Sequence, residues 1–164
     1  DHMWACLLIA MAVGYAGEAT VPDRPADKRI TAELQAGVSI PLEWAAASEV
    51  ACFPGTAFAS YQGKHHFFKF ELKSGSDLLF RVTPPEGVDI SIYALQKWHD
   101  GEKDPPHISR AFRCEAAHYE AGTETLIMRG YKSNMPVLLG VAGVEKSAMG
   151  SVTIEVWEQP GRQW

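Results

Sequence analysis

Apolar and polar residues alternate through the central and C-terminal parts of the chain. In "HHFFKFELK", which starts at His65, the residues His66, Phe68, Phe70 and Leu72 share one face, while Phe67, Lys69, Glu71 and Lys73 share the other. A period of two makes this a half-buried strand. The polar "SGSD" at residues 74–77 has turn composition. Leu78, Phe80 and Val82 then alternate with Leu79, Arg81 and Thr83, so the two runs are expected to pair as a β-hairpin. After "PPEG", Val88, Ile90, Ile92 and Ala94 alternate with Asp89, Ser91, Tyr93 and Leu95. Further strands are expected around Cys114 within residues 109–118, and over 125–130, 136–142 and 151–157. In the last, Val152, Ile154 and Val156 oppose Thr153, Glu155 and Trp157.

The N-terminal half is less regular. Residues 30–34 and 38–42 are strand candidates separated by Gln35-Ala36-Gly37, and the alanines of "LEWAAASEV" favour a short helical turn. "KWHDGEKDPPH", residues 97–107, reads as a loop. No long amphipathic helix is expected after residue 30. Many short strands at regular spacing predict an all-β fold, an antiparallel β-sandwich of jelly-roll type, over residues 30–164. Residues 20–29, opening with "TVPDRPADK", read as a linker.

Residues 1–19 differ from the rest. The apolar run from Trp4 to Val13 is too short to span a bilayer. It has the length of a signal-peptide core, with small residues at Gly17 and Ala19, or Gly14 and Ala16, for a cleavage site. A short buried helix or strand is the alternative, and lipidation at Cys6 a third. If Cys6 belongs to a signal, Cys52 and Cys114 remain as an even pair. In an exported protein that pair is expected to be a disulfide; two buried thiols are the alternative. The expected location is therefore secreted or periplasmic, with no stable membrane span in the mature chain.

The chain has 164 residues, 46% of them hydrophobic and 21% charged, which suits one globular domain. A formal charge of −5 with no basic block argues against a nucleic-acid partner, since neutralising phosphates takes clustered Lys and Arg.

Three stretches together resemble the bacterial pre-peptidase C-terminal domain, a β-sandwich module of secreted proteins. "HHFFKFELKSGSDLLFRV" resembles its aromatic strand, turn and following strand. "EGVDISIYAL" resembles its Asp-containing strand, with Asp89 in the acidic position. "YKSNMPVLLGVAGVEKSAMGSVTIEVWE" resembles its closing pair of strands. Cys114 stands in the middle segment, where members often carry a cysteine. The resemblance spans about residues 61–158. "NMPVLLGV" departs from the family's approach to its penultimate strand, and residues 30–60 lie outside the pattern. The resemblance implies a non-catalytic accessory module attached to an exported enzyme.

The candidate chemistry is sparse. His65 and His66 are adjacent on a strand, so they point to opposite faces and cannot share a metal. They are expected to start a strand near its rim. His99, Asp100, Glu102, Asp104 and His107 place oxygen ligands close together, which suits calcium, although the order is not that of an EF-hand. A solvated loop is the plainer reading, and no cofactor is expected otherwise. Asp89 is expected to serve structure rather than a ligand. No Gly-x-Ser-x-Gly elbow and no phosphate-binding glycine loop is present. Phe67, Tyr93, Trp98, Tyr131 and Trp157 fall on outward or loop positions. Aromatics there can stack on sugars or anchor a protein, unless the N-terminal stretch or residues 30–60 cover them. The expected function is thus a non-catalytic binding module for protein or polysaccharide. The alternatives are a small secreted hydrolase with a site in the 98–107 loop, and a self-associating envelope protein.

Overall fold

The computed structural model describes residues 19–46, 49–119 and 122–162. The expected signal remnant, Cys6 included, lies outside these apart from Ala19. Among the described residues there are eight strands: β1 Lys28–Glu33, β2 His65–Leu72, β3 Ser76–Thr83, β4 Ile90–Gln96, β5 Arg113–Ala117, β6 Glu124–Arg129, β7 Met135–Gly143 and β8 Ser151–Pro160. They form two antiparallel sheets, in the orders β1-β8-β3-β6 and β2-β7-β4-β5. The first strand pairs with the last, the second with the seventh, the third with the sixth and the fourth with the fifth. This is one long hairpin folded over on itself, the strand order of a jelly roll. The fold is the all-β sandwich that the alternation predicts.

β2 and β3 do not form the expected hairpin. They leave the turn into different sheets, β2 beside β7 and β3 between β8 and β6. Gly75 takes a positive φ of 73° in this turn, a conformation open to glycine. Alternation fixes the buried face of each strand but not its neighbour. Here the apolar faces of β2 and β3 meet across the sandwich, with the Phe70 and Phe80 rings edge to face at 5.1 Å. Around them Val82, Ile92, Leu139 and Ile154 fill the space between the sheets.

A second apolar layer lies outside the β2-β7-β4-β5 sheet. Residues 38–46 and 49–61 cross that face with two 3-10 turns, Glu43–Ala46 and Gly55–Tyr61. The expected helical turn in the alanine-rich run is the first of these. The expected strand at residues 38–42 reduces to one bridge, Val38 with His65, since Pro41 has no N–H to continue a ladder. Trp44, Phe53 and Tyr61 bury themselves on Tyr93, Leu95 and Leu138 of the sheet below.

The expected linker is built into the other sheet. Lys28 and Arg29 already belong to β1. The Arg24 guanidinium reaches Asp27 at 2.7 Å and the Glu158 carbonyl at 2.8 Å, and Asp27 accepts from the Glu158 N–H at 2.8 Å. These contacts satisfy backbone groups of β8 that its strand neighbours leave over.

Candidate functional site

The five aromatics proposed as ligand contacts fall into three places. Tyr93 and Trp157 do point outward from their sheets, but neither is exposed. Tyr93 is 0% exposed beneath the cover, with Phe53 at 5.1 Å and Trp44 at 5.8 Å. Trp157 is 1% exposed on the opposite sheet. Its Nε1 donates to the Arg24 carbonyl at 3.0 Å, and the Arg81 guanidinium lies 5.0 Å from its ring. Both rings are stacking surfaces already taken by the chain's own segments. Phe67 is half-buried beside Tyr93, at 6.3 Å.

Trp98 and Tyr131 are different. They are 49% and 37% exposed and lie on one side of the sandwich. Phe112 joins them, its ring 4.9 Å from Trp98 and 5.6 Å from Tyr131. The planes are tilted at 82° and 42°, so the three rings make a ridge rather than a flat platform. Trp98 separates two clefts. One, about 550 Å³, is walled by Val50, Cys52, Arg110, Phe112 and Arg113. The other, about 480 Å³, is walled by Lys28, Lys69, His99 and Asn134. The Arg113 guanidinium lies 5.8 Å from the Phe112 ring and donates to the Arg129 carbonyl at 3.1 Å. Phe112 and Arg113 were not among the expected site residues. The signal for them was the aromatic set between two arginines in "RAFRC", just before Cys114.

Cys52 and Cys114 form the expected disulfide, with Cα atoms 5.4 Å apart. It ties the cover to β5 and forms part of the floor of the larger cleft.

The loop at residues 97–107 sets two of its acids, Asp104 and Glu102, against basic side chains. Asp104 pairs with the nearly buried Lys97 at 2.8 Å and with Lys69 at 3.7 Å. Glu102 pairs with Arg110 at 2.8 Å and with His99 at 3.4 Å. Among the described residues no three His, Cys, Asp or Glu converge on a point that could hold a metal ion. Asp89 precedes β4, and its carbonyl accepts from Val144 N–H at 3.1 Å.

His65 is not at a rim. It is 1% exposed, closed over by the cover. Its Nε2 lies 3.0 Å from the Tyr61 carbonyl and its Nδ1 2.7 Å from the Tyr93 hydroxyl. A carbonyl can only accept, so Nε2 carries the proton and Nδ1 accepts from Tyr93 in the neutral ring. Tyr61 in turn has its hydroxyl 3.1 Å from His118 Nδ1. Burial lowers the pKa of His65 below its ordinary 6.5, partly opposed by the bond to the Tyr61 carbonyl. Burial also raises both tyrosines, with Glu124 adding to the rise at Tyr61 and Tyr61 to that at Tyr93.

The sign of the linkage follows. Below the ordinary histidine value the unfolded chain takes up a proton that folded His65 does not. Stability is full above that value and falls as the pH drops through the window down to the folded pKa. Chemical denaturation of wild type and His65→Gln across pH 5 to 7.5 is expected to give a shallower acid-side slope for the variant. Equal slopes would show that His65 does not couple folding to pH.

Among the described residues no helix is long and apolar enough to cross a membrane. Fold and site define an eight-stranded jelly-roll sandwich with an aromatic ridge between two surface clefts. Comparison with known proteins finds no family model and no curated protein that matches the chain.

Proposed function

We propose that the protein is a non-catalytic binding module that takes a saccharide chain across the Trp98 ridge. The observation that carries this reading is the position of Trp98, half exposed between two clefts and buttressed edge-on by Phe112. A ring held in that way offers a face to a sugar without having to be ordered on binding. Polar side chains on both sides, such as Arg113 and Asn134, supply hydrogen bonds to hydroxyls. Asp104 and Glu102 are engaged in holding the loop, through Lys97 and Arg110, which favours this reading over a hydrolase built on those two carboxylates. The disulfide supports an oxidising, secreted or periplasmic location. The β-sandwich class and the three quoted stretches are what support kinship with pre-peptidase C-terminal domains. A protein partner on the same ridge is the second reading, on the ground that Trp, Tyr and Arg there are residues that anchor interfaces.

Affinity electrophoresis through gels containing neutral or acidic polysaccharides tests the saccharide reading. Retardation by at least one glycan is expected, and Trp98→Ala should weaken it by about tenfold or more, the loss of roughly one aromatic contact. No retardation by any glycan, or equal retardation of the variant, would remove the saccharide reading.

A further inference from the structure

We propose that the protein associates with a second copy of itself through the free edge of β1, forming one continuous sheet across a twofold axis at Thr31. β1 is the end strand of its sheet. Among the described residues only one of its sides is paired, to β8, in the register Arg29↔Glu155, Thr31↔Thr153, Glu33↔Ser151. Just beyond the strand, Leu34 N–H donates to the Gly150 carbonyl at 3.0 Å in the same register. The backbone groups of the even-numbered residues therefore face β8. Those of Arg29, Thr31 and Glu33 face away from it. The same three residues carry exposed side chains, while Ile30 and Ala32 lean half-buried on the core.

Charged residues on an edge strand ordinarily discourage pairing. Here their order does the opposite for one arrangement. When two β1 strands are set antiparallel about Thr31, Arg29 falls opposite the second copy's Glu33, Thr31 opposite Thr31, and Ile30 opposite Ala32. All three outward-facing backbone pairs then close, each exchanging two hydrogen bonds. From Arg29 to Glu33 the side-chain pairs are matched in kind: opposite charges and hydroxyls on the outer face, apolar groups on the inner one.

The outer face of the sheet already runs in this pattern. Across the strands, Arg81 stands beside Glu155 and Glu155 beside Arg29. Arg81 and Glu155 form a two-point ion pair at 3.0 and 3.1 Å. The second copy's Glu33 would continue this alternation of sign by one place. The neighbouring row is threonine. Thr31 lies beside Thr153 and Thr153 beside Thr83, and the Thr83 hydroxyl accepts from Thr123 at 3.4 Å. Pairing at Thr31 would carry that row unbroken into the second copy. A shift of register by two residues would lose the charge match, so a single arrangement is specified.

Sedimentation velocity of the full chain over a hundredfold range of concentration tests this. A concentration-dependent shift from the monomer mass of 18.0 kDa to twice that mass is expected. Thr31→Pro removes an N–H that bonds to no other described residue, and proline is tolerated on an edge strand facing solvent. Its unfolding midpoint should stay near that of wild type, measured under dilution to monomer, while the dimer is lost. Arg29→Glu should weaken dimerisation by about tenfold or more, because two symmetric pairs become repulsive. Arg29→Glu with Glu33→Arg should recover it. A monomer at every concentration, or an association indifferent to both Thr31→Pro and Arg29→Glu, overturns the proposal.

Discussion

Replacing Cys52 and Cys114 together by serine is expected to lower the free energy of unfolding by roughly 4 kcal/mol, as read from urea denaturation of oxidised wild type and the double variant. The bridge closes a loop of 62 residues, and in the chain-entropy treatment a loop of that length costs the unfolded chain about that much freedom. The loop holds the second 3-10 turn of the cover, Gly55–Tyr61, together with β2, β3 and β4. A functional loss should accompany the loss of stability. Val50, Ala51 and Cys52 form one wall of the larger cleft, and Cys52 is held against β5 by this bond. Glycan retardation by the double variant should fall even at temperatures where it remains folded. A change in stability below about 1 kcal/mol would mean that the cover docks without help from the bridge.

Phe53→Ala should cost a similar amount, about 3–5 kcal/mol, the range for a buried phenylalanine removed from a packed site. Phe53 is 0% exposed and adjoins four rings. It stacks on Tyr61 at 4.0 Å and meets Tyr93, Trp44 and Phe58 at 5.1, 5.7 and 6.4 Å. Without it the cover loses its central anchor, and the bond between His65 and the Tyr61 carbonyl loses the ring that holds Tyr61 in place. Thermal unfolding checks the size of the effect. Because Phe53 follows Cys52 directly, its loss and the loss of the bridge are expected not to add, since either one releases the same segment. A fully additive triple variant would show that bridge and ring act on separate parts of the fold.

Gly140 makes this second core possible. It lies between Phe67 and Tyr93 in register on β7. A Cβ placed on it would run into the Tyr93 ring. The ring therefore lies down across the strand and brings its hydroxyl to His65.

The strands were legible because each has one face against the core. The alternation of Phe68, Phe70 and Leu72 with Phe67, Lys69 and Glu71 is a direct imprint of burial, and it gave the facing of those residues correctly. Pairing was not legible, because Phe70 meeting Phe80 across the sandwich leaves the same alternation as meeting it within a sheet. Exposure was not legible for Tyr93 and Trp157. Their outward direction follows from local pattern, whereas what lies over them comes from residues 38–46 and 49–61 and from Arg24, distant in sequence and irregular in structure. The same holds for His65. Read in its own strand it begins a hydrophobic run; only Tyr61 and Tyr93 make it a buried hydrogen-bonding group. At the ridge, Trp98 and Tyr131 stood out as aromatics in loops, while Phe112 did not, since its role lies in joining two rings that sequence keeps far apart.

The nested pairing of strands also bears on how the chain reaches this state. β4 and β5 can meet early, because a single loop separates them. Each pair outside them closes a longer stretch of chain, so β1 with β8, where Lys28 lies beside Val156, is expected to close last. Such a topology is dominated by contacts distant in sequence, so folding is expected to be slow for a chain of this size, and β1 is expected to spend the longest time without a neighbour.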